Sequence, residues 1–406
     1  MTSVEGWSVT DIEGLPAAER YASLQPRAGL VRGKHYLDTT AGTALWGRLP
    51  CAADAPVLRI RPGETVTIDT LSHEGFLEDQ EKDPIAYFGA HGVLRPDVLA
   101  DAVEIARDVP HDPTTDGPHV VTGPIAVRGA RPGDMLAITV VELTPRVDYG
   151  VISNRHGRGA LPGELPAGPD NVSVFTQVEG TGSRAVGVLP LRTGGPNRVR
   201  FPLRPFLGIM GVATPGDVRL NSVPPHLQGG NLDISLLVEG ATLYLPVAVD
   251  EALAYVGDPH FAQGNGEVSL TALEASLRAT LHFDVVPATE ARRLFGGAHG
   301  PVVETDTYLI PTGLDQDLDT AVSNCVRNAL EVISARYGMD RHLAYAYLSA
   351  ATDFDISQVV DLVKGTHARI RKSDFTSAAG TPAPHALRTA SKRDHRVAVN
   401  TPLPRT

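Results

Sequence analysis

A strand–turn–strand unit is written three times along this chain, and it limits the fold to a mainly β class. The copies read VLRIRPGETVTIDT at 57–70, IAVRGARPGDMLAITVVEL at 125–143 and ISLLVEGATLYLPVAV at 234–249. In each, alternating apolar runs flank a turn centred on Gly63, Gly133 or Gly240. Alternation with period two buries one face of a strand. In the first two copies the turn is Pro-Gly followed by an acid, where Pro presets φ and Gly supplies φ > 0. The expectation is three hairpins and related β modules packed as sandwich- or barrel-like sheets. The alternative is that common hairpin grammar has recurred without kinship.

Composition agrees with many short strands. The 40 glycines and 32 prolines exceed the roughly 12% of average usage. They fall as punctuation between apolar runs, which is turn chemistry rather than disorder. A net charge of −11 provides no basic footprint for nucleic acid. Cys51 and Cys325 cannot make a disulfide framework, so a reducing compartment fits. The polar, acidic N-terminal stretch has no charged-then-apolar signal pattern, and no apolar run approaches the ~18 residues of a membrane span. The reading is a cytoplasmic protein with neither nucleic acid nor membrane as partner.

The chain divides as follows. Residues 1–55 form a loosely structured leader with a helix near Ala17–Leu24. Residues 56–145 form an N-terminal β module, and 146–310 a second β module with long loops. Residues 311–375 form a smaller α+β part containing the C-terminal helices, and 376–406 a Pro/Ala/Thr-rich tail, disordered or lying on a partner subunit. From Gln316 to Tyr337 apolar residues recur at helical spacing, Cys325 and Val326 among them. Asp315 is the expected cap and Gly338 the stop. Asp340 and Asp355 are expected to cap two further helices, the second ending at Gly365.

The chemistry concentrates in QGGNLDISLLVEGATLYLPVAVDEALAYVGDPHFAQGNGE at 228–267. Gly-bracketed loops at strand ends present Asp233, Asp258, His260, Gln263 and Glu267. Rigid strands delivering acids and an imidazole from loops are how metal and acid/base sites are built. The segment resembles the signature of the acetamidase/formamidase family, which reads much like GGN-x-D followed by VGD-x-H-x-x-QGDGE. His119 in PHVVTGPIAVRGARPGDML, and AYAYLSAATDFDISQVVD at 344–361, extend the likeness over roughly 57–375. The resemblance implies a mainly β architecture with a smaller α+β part, hydrolysis of a small-molecule amide with ammonia release, and a homo-oligomer.

No Gly-x-Ser-x-Gly elbow is present, Cys325 falls on an apolar helix stripe, and Cys51 lies in a loop with no His nearby in sequence. A water activated by a divalent metal is the better fit, because a metal both polarises an amide carbonyl and supplies hydroxide. His260 and His119 are the central ligands, with Asp233 and His73 as further candidates. Asp258 either ligates or orients an imidazole, and Asp233 is otherwise an Asx-turn cap. The imidazoles favour Zn²⁺, while the oxygen-rich loops keep Ca²⁺ open. Glu267 is assigned the acid/base role. Gln263 is a donor to the carbonyl or oxyanion.

Two departures from the family pattern stand out. Ser72 takes a place where relatives carry Asp, so either His73 replaces that acid or the site has one ligand fewer. Asn265 replaces the Asp of QGDGE and cannot act as a base. The loop Asn154–Gly159, with Arg155, His156 and Arg158, either contacts an anionic group or is a solvated surface loop. Competing readings are a β-rich Ca²⁺- or small-molecule-binding protein, and a hydrolase of another C–N bond.

Overall fold

A computed structural model describes residues 23–375. Among these, the strands form two sheets, one of nine strands and one of eleven. Val66, Ile68, Leu136, Ile138, Leu281 and Phe283 of the first meet Ile125, Phe206, Met210 and Val256 of the second in one buried cluster. Each such side chain contributes about 1.5–3 kcal/mol on full burial. The expected mainly β sandwich is therefore what forms. On the other face of the nine-stranded sheet, Met135, Ala137 and Tyr244 pack against helices Ala288–Phe295, Leu318–Tyr337 and Arg341–Ala351. Period-two alternation decides the split, since Leu136 and Ile138 face the sandwich while Met135 and Ala137 face the helices.

The three repeated units are not hairpins. Leu58–Ile60 belongs to the eleven-stranded sheet and Glu64–Asp69 to the nine-stranded one. Val120–Val127 and Met135–Pro145 divide in the same way, as do Gly229–Asn231 and Thr242–Pro246. In the third copy, residues 234–239 are turns rather than a strand. The turns at Gly63 and Gly133 therefore carry the chain across the sandwich, while the turn at Gly240 already lies against Val140 of the nine-stranded sheet. The glycines at 63, 133 and 240 do take positive φ, at 84°, 98° and 88°, but their partners lie elsewhere. Leu58–Ile60 runs parallel to Val120–Val127, and Leu277–Val286 lies between Glu64–Asp69 and Met135–Pro145.

Other expectations need correction. Within the leader, His35–Leu37 pairs with Glu64–Asp69 and Ala44–Trp46 with Val120–Val127, so residues from 35 on are part of the sheets. The helix expected near Ala17–Leu24 falls almost wholly outside the described residues, as does the tail after 375. Strands from 56–145 and 146–310 share both sheets, so no boundary between separate bodies falls at 145. The long helix begins at Leu318, capped by Asp317, whose carboxylate accepts from the Thr320 N–H at 2.8 Å. Asp315 ends the preceding strand instead. Asp340 caps Arg341–Ala351 as expected. Asp355 caps nothing, because Asp353–Gln358 is a strand paired with Lys364–Arg371. Helices Pro84–Ala90, Ala100–Asp108 and Ala288–Phe295 were not expected. Among the described residues, no helix is long and apolar enough to cross a membrane.

Candidate metal and catalytic centre

The Ala254–Ala262 strand carries Asp258 and His260, and its neighbours bring the rest. His260 pairs in register with Glu274 of Leu273–Glu274. His119 enters Val120–Val127, whose Val121 pairs with Gly257. Asp233 follows Gly229–Asn231, and His73 follows Glu64–Asp69 of the other sheet. Glu267 sits in a loop tied down where Gly266 bridges Gln358. Asp233, Asp258 and Glu267 have φ of 49°, 51° and 47°, a left-handed backbone that costs non-glycine residues of order 1–3 kcal/mol each. The fold holds three carboxylates in strained positions and aims them at one place.

Asp258 is at the centre. Its Oδ1 lies 3.6 Å from His73 Nδ1 and 3.8 Å from His119 Nε2, and its Oδ2 lies 3.0 Å from His260 Nε2. Glu274 Oε1 is 3.1 Å from the same His260 nitrogen, and Asp233 Oδ1 is 3.9 Å from His260 Nδ1. All of these residues are buried. His73, His119 and Asp258 form one compact donor group, Asp258, His260 and Glu274 a second, and Asp233, His260 and Glu267 a third; within each the donor atoms lie within 4.8 Å of one another. The four expected metal residues thus divide between groups that share Asp258 and His260.

The electrostatics follow from burial and crowding. Burial alone would raise the Asp258 carboxyl, but the His260 and His119 rings outweigh it and hold it well below the usual range. Burial lowers His119 to about 4 despite Asp258. Burial would lower His73 too, but Asp258 and Glu74 overcome it and raise the ring to about 10. Burial, reinforced by Asp258, raises Asp233; burial, reinforced by Asp233, raises Glu267.

The partners of other expected residues assign them different work. His260 Nδ1–H donates to Gln263 Oε1 at 3.1 Å, while Gln263 Nε2 donates to the carbonyls of Asp233 and Ser357. Both halves of that amide are engaged, so Gln263 orients His260 instead of serving an oxyanion. Asn265 Oδ1 accepts from Ser235 Oγ at 3.0 Å, which holds the turn. Arg155 pairs with Glu74 and Asp79 at 3.2 and 3.0 Å. Sequence reading missed Glu274, Asp361 and Glu74. Glu274 carried a signal, an isolated acid inside an apolar strand run. Asp361 ends the 344–361 stretch already singled out, but that stretch reads as helix, and only the chain path after Asp353–Gln358 brings the residue in.

A pocket of about 490 Å³ opens on the centre, with His73, His119, Asp258, Glu267, Glu274 and Asp361 in its wall. His260 and Asp233 lie behind that wall. Several buried atoms have no hydrogen-bond partner: both nitrogens of His73, both Asp233 oxygens, Asp258 Oδ1, His260 Nε2, Glu267 Oε2 and Glu274 Oε2. The His260 contacts at 3.0 and 3.1 Å are thus close without hydrogen-bond alignment. Leaving so many ionisable donors buried and unpartnered costs several kcal/mol. A divalent cation satisfies imidazole nitrogens and carboxylate oxygens together, so the donor set fits a metal, and its imidazoles fit zinc better than calcium.

The Acetamidase/Formamidase family model matches residues 100–222 and 216–368. The acetamidase of Mycolicibacterium smegmatis is 26% identical over 235 residues, 46% of this chain and 57% of that protein. The formamidase of Methylophilus methylotrophus is 28% identical over 193 residues, 37% of this chain and 47% of that one. The chain thus spans about half the length of the curated relatives it matches. The crystal structure of an acetamidase from Bacillus halodurans superposes with a TM-score of 0.65 at 26% identity, covering 85% of this chain and 99% of that one.

Proposed function

The chain belongs to the acetamidase/formamidase family, and on that premise we propose that it is a metal-dependent hydrolase of small linear amides of the formamide and acetamide type. The C–N bond breaks, water adds to the acyl carbon, and ammonia and a carboxylate leave. The observation that carries the reading is the convergence of buried imidazoles and carboxylates, several of their atoms unpartnered, in and behind the wall of an open pocket.

His73, His119 and Asp258 are the residues that would hold the metal. Two imidazoles and one carboxylate are a catalytic-zinc donor set, and all three face the pocket. When bound, zinc supplies a Lewis acid and a water acidified to a pKa near ~7. His119 Nδ1 pairs with Ser222 Oγ at 3.0 Å, which fixes the ring and turns Nε2 toward Asp258. His260, itself oriented by Gln263, lies 3.0 Å from the far oxygen of Asp258. Glu267 presents an unpartnered Oε2 beside the pocket, and burial, reinforced by Asp233, raises its carboxyl well above the usual range. It is therefore placed to carry the proton that the leaving nitrogen needs.

The test is ammonia release from formamide and acetamide by purified protein, before and after chelation and again after zinc is restored. Turnover that disappears with chelator and returns with zinc is expected. A zinc-replete protein that releases ammonia from neither amide overturns the reading.

A further inference from the structure

Acetamide has four non-hydrogen atoms, which at ~30 Å³ per water-sized atom occupy roughly 120 Å³. The pocket measures about 490 Å³, within the roughly 300–1,000 Å³ of sites that enclose far larger ligands. Most of it is therefore wall for something other than the amide group.

The charges on that outer wall are asymmetric. Outside the metal-binding cluster its acids are already matched. Glu78 pairs with Lys82 at 2.6 Å and His111 at 3.1 Å, Asp79 with Arg155 at 3.0 Å, and Asp116 with Arg48 at 2.6 Å. Arg158 lines the same pocket, and among the described residues its guanidinium has no hydrogen-bond or ion-pair partner. Leu77, Leu270 and Leu362 add apolar wall. Leu362 is 69% exposed and is held at the mouth by left-handed backbone at both Asp361 and Leu362, φ 60° and 66°. An exposed leucine and an unpaired guanidinium on one pocket suit a short methylene chain ending in an anion.

We propose that this pocket selects linear amides that carry a carboxylate several bonds from the amide, half-amides of short dicarboxylic acids, with Arg158 binding the carboxylate. This rests on the amidase reading above and names its substrate class. Arg158 never meets the reacting atoms; it determines specificity through a two-pronged contact that a carboxylate fits and a neutral or cationic terminus does not.

The experiment compares three five-carbon probes on zinc-loaded protein: the monoamide of glutaric acid, pentanamide and 5-aminopentanamide. We expect kcat/KM for the anionic probe to exceed that for pentanamide by about tenfold, the scale of one charged hydrogen-bonded contact. 5-Aminopentanamide should be the poorest, and the preference should shrink with added salt. Arg158→Gln should bring the anionic-to-neutral ratio close to one, whereas Arg158→Lys should keep part of it. Acetamide turned over with no preference for the anionic probe overturns the inference and leaves amidase activity standing. If no amide is turned over, calorimetric binding of the same probes decides. Tighter binding of the anion, lost in Arg158→Gln, upholds the inference without the activity, and equal binding of all three ends it.

Discussion

Gly208 faces Asp258 across the ladder between the Phe206–Val212 and Ala254–Ala262 strands, and the side chain one lacks is the space the other's carboxylate fills. A Cβ at 208 would overlap Asp258 Oδ2, and it would come within 2.5 Å of Asp233 Oδ1 and 2.8 Å of His260 Cε1. A backbone position without a side chain thus lets three donor residues crowd together in a tightly packed interior.

Gly208→Ala should therefore damage the site more than the fold. The methyl group meets movable side-chain ends, so the thermal midpoint should fall by only a few degrees, while bound metal and amide turnover should each drop tenfold or more. Metal content by elemental analysis, alongside calorimetry of unfolding, checks both. Full metal content with native turnover would show that the carboxylates need not approach so closely.

Glu267→Gln keeps shape and hydrogen bonding but cannot shuttle a proton. It should retain metal and lose roughly 10²–10⁴ in rate. Near-native turnover with metal bound would move the proton shuttle elsewhere. Loss of metal in this variant would instead make Glu267 a ligand.

Cys325 is fully buried in the helical layer, and its thiol donates to the Pro311 carbonyl at 3.3 Å. Burial raises the thiol to about 12, so it is no nucleophile at neutral pH. Cys325→Ser should cost about 1–3 kcal/mol of stability through the buried hydroxyl and leave turnover per folded molecule unchanged. Inactive but well-folded Cys325→Ser would revive a thiol mechanism.

His367 contributes pH dependence to stability. It is fully buried, with Nδ1 paired to Ser357 Oγ at 2.8 Å and Nε2 3.8 Å from Asp355. Burial, with Arg369 adding to it and Asp355 opposing, lowers the ring from 6.5 to about 4. The unfolded chain then binds the proton more readily, so this contribution is whole above pH 6.5 and is lost as pH falls from 6.5 toward 4. The loss amounts to about 3 kcal/mol at most. Denaturant titrations of chelated protein at pH 7.5, 6 and 5 should decline less steeply for His367→Gln than for the native chain. Parallel declines would place the sensitivity in other groups.

Much of the site was legible because its residues come in short local segments. The Gly-Gly-Asn-Leu-Asp and Gly-Asp-Pro-His loops and the Gln-Gly-Asn-Gly-Glu turn announce unusual backbone next to acids and an imidazole. Asp233, Asp258 and Glu267 do adopt the left-handed backbone that such loops permit. Glu274 reaches the centre because its strand pairs with His260, and Asp361 because the chain bends back after Asp353–Gln358. The acid of Glu274 stands out in its apolar run, but the partner it meets does not, and the bend that brings in Asp361 leaves no local mark.

The sequence by itself determined which stretches extend, where turns fall, the helix from Leu318 and the chemical types at the site, since propensity, period and turn chemistry act within a few residues. It misplaced the start of that helix by two residues, misread 234–239 and 353–358, and did not determine partners. The unit at 125–143 reads identically whether its arms pair with each other or, as they do, enter opposite sheets. DFDISQ at 353–358 reads as a helix start until its pairing with Lys364–Arg371 makes it a strand. The tertiary structure alone decided those pairings, and with them the crowding around Asp258. Packing two faces of a sandwich is a property of the whole chain, whose free energy depends on contacts between residues hundreds of positions apart.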